Sequence, residues 1–360
     1  MKSLKNKVWL GIVVSVLFFA AFLNFTPLDF FSKEESQHFE ETTVASDVTE
    51  NKVTVGGASV GIIMRTDGVM VVGYSALKDE NGAMVYPAKD GGIALGDSIL
   101  RINGETVTSD DTLLELVDAY GQEGALRFDI RHGDRLVKKD ITPIYCQETG
   151  RYRVGLYVRD QLGGIGTLTL YDPMTNRFAA LGHPVEGTVE AAADGLLGRV
   201  LPSGIRGIHK AAEGEVGEMI GSFEAGTFRG GIDKVGQYGV YGSMEGGMES
   251  YLTKDLPIAK ADEIQEGSAE IITVLKGNQQ ESFDIEILSV DAKDTSGKGL
   301  TIEITDSRLL SETGGIIQGM SGSPIIQKGK LVGAVTYVMV NHPQKGYGCC
   351  IEYIYKEMLE

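Results

Sequence analysis

The chain has 360 residues, 48 of them glycine and 9 proline, and a formal charge of −17. The glycines follow no period, which argues against collagen-like and low-complexity classes; at close to twice the ordinary share of about 7%, they point to short strands joined by tight turns. The acidic balance, with no run of Lys or Arg beyond the N-terminus, argues against a nucleic-acid partner, and three cysteines without paired Cys/His spacing indicate neither a metal site nor a cofactor.

The chain opens on "MKSLKNK", which carries Lys2, Lys5 and Lys7, followed by "VWLGIVVSVLFFAAFLNF", nearly uncharged from Val8 to Phe25. That run is just long enough to span a bilayer. A cleaved signal has a shorter apolar core and a small-x-small site, whereas Ala20 and Ala21 lie among phenylalanines. Residues 1–30 therefore read first as an uncleaved, single-pass anchor and second as a cleaved signal that would release the chain; either way the basic flank stays in the cytoplasm and the rest is exported. Residues 31–50, acidic and without apolar period, read as a flexible stalk that contains His38.

Residues 51–145 read as a compact β-rich unit. "GASVGIIMRTDGVMVVGYS" offers two apolar strands, and "GDSILRINGETV" a strand between turns at Gly96-Asp97 and Asn103-Gly104. Leu113, Leu116, Val117 and Tyr120 recur at helical spacing behind Ser109 and two aspartates, the pattern of an N-capped amphipathic helix. "ALRFDIRHGDRLVKKDIT" returns to strands. This order, with Ala88, Gly92-Ile93 and Gly96 to Gly104, resembles a PDZ domain. The resemblance implies a peptide ligand added as a strand, gripped by the loop Ser59-Val60-Gly61-Ile62.

Residues 146–360 read as a second, glycine-rich β domain. "ESFDIEILSV" and "LTIEITD" alternate as half-buried strands do, and one short helix is expected near the C-terminus. Here "IIQGMSGSPIIQKGKLVGAV", Ile316 to Val335, sets two hydroxyls and two glycines on a turn between apolar strands. A serine nucleophile needs a base, a carboxylate to orient the base, and N–H donors for the oxyanion. The glycines permit torsions that present the N–H groups of Gly319 and Ser321 to one point. Gly319 to Pro324 resembles the nucleophile loop of chymotrypsin-like peptidases, with Ser321 in the nucleophile position and Ser323 as its rival. Among the histidines, His183 ends the apolar run "FAALGH", where a strand opens into a turn; His38, His132, His209 and His342 sit in stalk, hairpin or polar turns. Asp306, at the end of "LTIEITD", and Asp233, about fifty residues after His183, compete for the acid, and spacing does not decide between them.

"GIGTLTLYDPMTNRFAALGH", "GGIIQGMSGSPIIQKGKLVGAVTYV" and "NHPQKGYG", behind a PDZ-like unit and an N-terminal apolar segment, resemble the SpoIVB peptidase family. The resemblance implies a mainly β chain ending in a chymotrypsin-like double β-barrel, with His183 as base, Asp306 as orienting acid and Ser321 as nucleophile. It also implies a membrane-tethered serine endopeptidase of sporulation that cleaves itself and a membrane-bound regulator of an intramembrane metalloprotease. That cleavage would occur between the two forespore membranes and trigger sigma-factor activation. Two other readings compete: a PDZ adaptor with an inactive peptidase-like domain, and an HtrA-like quality-control protease, which would carry its PDZ after the peptidase domain.

Overall fold

The computed structural model describes residues 52–133, 135–185, 188, 195–223, 230–245 and 251–360. The expected anchor and stalk lie outside the described residues. Among the described residues no helix is long and apolar enough to cross a membrane. The chain forms two compact units, one of residues 64–162 with Thr188, the other of residues 52–63 and 163–185 with the described residues from 195 onward.

Strand β1 (Lys52–Val55) belongs to the second unit, and β2 (Ser59–Tyr74) begins there before entering the first at Met64. In the first unit β2 pairs with β3 (Ser98–Ile102) through Val69 and Ile99. Helix α1 (Asp110–Tyr120) follows, then β4 (Leu126–His132) and β5 (Arg135–Ile141), with β4 paired between β3 and β5. Leu126, Phe128 and Ile130 alternate inward from β4, and Leu113 and Val117 bury from α1, so two periodicities meet in one core. Ser109 caps α1, its hydroxyl accepting the Thr112 N–H at 3.1 Å. Asn103 and Gly104, at φ 50° and 89°, make the expected tight turn after β3.

The second unit gathers β6 (Leu156–Asp172, from Gly163 onward), β7 (Arg177–Leu181), β8 (Gly198–His209), β9 (Gly230–Gly236) and β10 (Gly239–Met244). The order β6-β7-β10-β9-β8-β2 returns to its start because β2 also pairs with β6. The Leu168 N–H donates to the Ala58 carbonyl at 3.0 Å, and the Ser59 hydroxyl meets the Ser203 hydroxyl at 2.6 Å. Next come β11 (Gly267–Val274), β12 (Gln280–Val290), β13 (Leu300–Ile304), helix α2 (Ser307–Thr313), β14 (Pro324–Gln327), β15 (Lys330–Val338), β16 (Lys345–Cys350) and helix α3 (Ile351–Leu359). The six strands close a barrel in the order β11-β12-β13-β16-β15-β14. Phe283, Ile285 and Ile287 point into it from β12, as the alternation in the sequence requires. Cys350 faces this barrel core, while Cys349, its neighbour on the strand, faces a second apolar cluster beneath α3.

Candidate active site

Ser321 stands on the turn that leads into β14, between Gly319 at φ 99° and Gly322 at φ 91°, torsions that an L side chain adopts only under strain. Three hydrogen bonds hold the glycines of the turn to their surroundings. The Gly322 N–H donates to the Val335 carbonyl at 2.8 Å, while the buried hydroxyls of Thr167 and Thr169 on β6 donate to the carbonyls of Gly319 and Gly322 at 2.7 and 2.8 Å.

The direction of the two oxyanion-hole donors follows from their peptide planes. In a trans peptide the N–H points opposite to the preceding carbonyl. The carbonyl paired with the Gly319 N–H is that of Gln318, which accepts the Met219 N–H at 2.9 Å. The carbonyl paired with the Ser321 N–H is that of Met320, which accepts the Ser323 N–H at 2.9 Å. Both carbonyls are tethered, so both N–H groups have fixed directions. Among the described residues neither N–H donates to a backbone acceptor.

The histidine arrives on an unusual backbone. Leu181, at the end of β7, has φ 76°, and Gly182 has φ 72°. A left-handed leucine costs about 1–2 kcal/mol, and such outliers persist where packing over-determines them. Here that packing is the serine turn. A Cβ on Gly182 would lie 2.8 Å from the Val335 oxygen and 3.5 Å from the Gly322 nitrogen; one on Gly322 would lie 2.6 Å from the Leu181 nitrogen. Backbone touches backbone, so His183 and Ser321 leave adjacent segments.

His183 donates from Nδ1 to the Pro184 carbonyl at 2.9 Å, since a carbonyl can only accept. That tautomer leaves the Nε2 lone pair free to take a proton. Burial lowers the imidazole pKa below its usual 6.5, partly offset by the Pro184 hydrogen bond, so the ring is neutral at neutral pH. Its face lies against the Tyr337 ring, with centroids 5.5 Å apart. The Ser321 hydroxyl donates to the Thr336 carbonyl at 3.1 Å.

The acids are placed elsewhere. Asp306 caps α2, its carboxylate accepting the Leu309 N–H at 2.8 Å, and it shares no hydrogen bond with His183 among the described residues. Asp233 makes a forked pair with Arg177 at 2.5 and 2.8 Å. His132 pairs with Asp97 in the first unit, and His209 faces Glu215 at 3.9 Å. Ser323 is wholly buried behind the turn.

The residues expected to grip a peptide are differently placed. Ser59, Val60, Gly61 and Ile62 form no loop: they are buried in the first half of β2, in the second unit, and a Cβ on Gly61 would overlap the Phe223 ring. The glycine that read as a loop signal is there for close packing. A cleft of about 1170 Å³ in the first unit runs instead along Leu113 and Val117 of α1, past Leu77, Pro143 and Tyr157.

A neutral base on the segment adjoining the serine's turn, with two N–H donors of fixed direction on that turn, is equipped for acyl transfer. The Thr167–Thr169 clamp was not foreseen; its only trace in the sequence is two threonines two apart, on one face of an apolar strand.

The model of the SpoIVB peptidase S55 family matches residues 150–355. Among solved structures, the chain is similar to the PDZ domain of the SdrC-like protein from Listeria monocytogenes. Identity is 24% over 26% of this chain and 87% of that chain, with a TM-score of 0.21. No curated protein matches the chain.

Proposed function

The chain belongs to the SpoIVB peptidase S55 family, a serine peptidase family of sporulation, and on that premise we propose that it cuts a membrane-bound regulatory protein, and its own N-terminal part, to trigger sigma-factor activation. In this reading the second unit is a chymotrypsin-like pair of barrels. The first is a PDZ-like module whose α1 cleft takes a peptide, and residues 8–25 tether the whole to a membrane, with residues 31–50 as the stalk that is cut. His183 takes the Ser321 proton, the alkoxide adds to the scissile carbonyl, and the N–H groups of Gly319 and Ser321 hold the oxyanion. The Nδ1–H bond to Pro184 keeps Nε2 available for the proton. The family resemblance alone assigns the orienting acid to Asp306.

The observation that carries the reading is the backbone contact between Gly182 and Gly322, which sets base and nucleophile on adjoining segments. The test is a fluorophosphonate probe with Ser321→Ala and His183→Ala beside the wild-type chain. Wild type should label at Ser321 and release a shortened form, and both variants should stay unlabelled and full length. Equal shortening in Ser321→Ala assigns the cut to another protease.

One observation favours a second reading, an adaptor whose peptidase-like unit is idle. The Ser321 hydroxyl donates to the Thr336 carbonyl and not to the imidazole. An idle unit would leave wild type unlabelled.

A further inference from the structure

In a chain whose formal charge is −17, the Lys298 ammonium and the His183 imidazole share one aromatic neighbour. The Lys298 ammonium lies 5.3 Å from the centre of the Tyr337 ring and 5.4 Å from that of Tyr347. Tyr337 is the ring that contacts the His183 imidazole. A single tyrosine thus touches both the base and the ammonium.

The backbone that carries the ammonium is held in place. Its loop joins β12 to β13 and is fastened at three points. The Thr336 hydroxyl donates to the Gly297 carbonyl at 2.8 Å, the Tyr238 hydroxyl donates to the Thr295 carbonyl at 2.8 Å, and the Asp291 N–H donates to the Gly299 carbonyl at 2.7 Å. Thr336 is also the residue whose carbonyl accepts the Ser321 hydroxyl. The loop is therefore fastened to the segment against which the nucleophile rests.

No carboxylate among the described residues lies within salt-bridge distance of Lys298. Asp294 feels its charge and is held below the usual carboxylate range, chiefly by the Ser296 hydrogen bonds, with Lys298 as a smaller contribution. Lys298 is exposed, so an ammonium with two aromatic rings behind it is open to a partner from solvent.

We propose that Lys298, framed by Tyr337 and Tyr347, is a subsite for an aspartate or glutamate side chain close to the scissile bond of the polypeptide substrate. The inference rests on the peptidase reading above and adds the substrate class to it. An ion pair at an exposed site changes affinity by about fivefold at most, so Lys298 biases the choice of cut site and leaves the bond-breaking step to other groups.

The experiment uses a synthetic library of random decapeptides with the full chain, as wild type, Lys298→Met and Lys298→Glu, and reads the cut sites by mass spectrometry. Wild type should cut peptides bearing Asp or Glu within three residues of the scissile bond about three- to fivefold more often than chance. The Met variant should lose that enrichment, and the Glu variant should turn it toward Lys and Arg. The wild-type enrichment should also shrink at high salt. The same acidic enrichment in wild type and Lys298→Glu overturns the inference, as does no enrichment in a wild type that labels at Ser321 with a fluorophosphonate. A wild type that neither labels nor cuts overturns the peptidase reading itself.

Discussion

Replacing Gly322 with alanine tests whether backbone contact with the His183 segment builds the site. Gly322 and Gly329 both have left-handed torsions, φ 91° and 75°. They differ in what surrounds them. A Cβ on Gly329 meets nothing within 4 Å, whereas one on Gly322 would sit 2.4 Å from the Thr167 oxygen, 2.6 Å from the Leu181 nitrogen and 3.0 Å from its Cα. The torsion alone costs either alanine about 1–2 kcal/mol. Overlap with atoms that cannot rotate away adds about 1–3 kcal/mol at Gly322 only. The turn can relieve it only by withdrawing from β6 and Leu181, loosening the Thr169 and Val335 hydrogen bonds as it goes. A displacement of 1 Å between reacting groups lowers rate by about 100-fold. Urea unfolding at equal m-values should place Gly322→Ala below Gly329→Ala by about 1–3 kcal/mol. Fluorophosphonate labelling of Ser321 should be near wild type in Gly329→Ala and about 100-fold slower in Gly322→Ala. If the two variants unfold within 0.5 kcal/mol of each other and label alike, the contact has no part in assembling the site.

Further outcomes are expected at three residues. Because burial lowers the His183 pKa below 6.5, labelling should fall only as pH drops through that lowered value, a limb absent from residual activity in His183→Gln. The same shift means that the unfolded chain takes up this proton first, so a stability penalty develops as pH falls below 6.5 and is absent above it; unfolding midpoints across that range check the sign. Asp306→Ala should lose about 1 kcal/mol with its helix cap while Asp306→Asn keeps it. If Asp306 is also the orienting acid of the proposed triad, the Asn variant loses turnover by orders of magnitude with an unchanged midpoint, and Asp233→Asn does not. Thr169→Val leaves the buried Gly322 carbonyl without its donor and should cost about 1–3 kcal/mol, read by urea unfolding.

Local features were legible in the sequence. The cap at Ser109, the turn at Asn103-Gly104 and the alternation of β12 each depend on residues a few positions apart, and each is where the pattern placed it. The hexapeptide at Gly319 was legible because two left-handed torsions need glycines. What the sequence did not show depends on partners far along the chain. The Thr167 hydroxyl finds its acceptor 152 residues away, and nothing near Thr167 announces it. Ser59 to Ile62 misled for the opposite reason: a short apolar run with a glycine suits a binding loop and a packed strand equally, and only register against β6 and β8 decides. Helix α2 went unseen because seven residues hold too little periodicity, and the aspartate that starts it read as the end of the preceding strand.

The adjacent Cys349 and Cys350 on β16 give the protein a simple redox character. Facing different apolar clusters, they direct their sulfurs apart, and burial raises both thiol pKa values, that of Cys350 to about 11 and that of Cys349 further. Neither forms appreciable thiolate at neutral pH, and thiolate is the nucleophile that attacks oxidants and disulfides. Cys146 is the opposite case: hydrogen bonds at Thr149 lower its pKa, and it is partly open to solvent. The folded chain therefore presents one reactive sulfur to its surroundings, and a thiol-counting reagent should register one cysteine at once and the other two only as β16 opens. The two β16 thiols are thereby shielded from oxidants that act through thiolate.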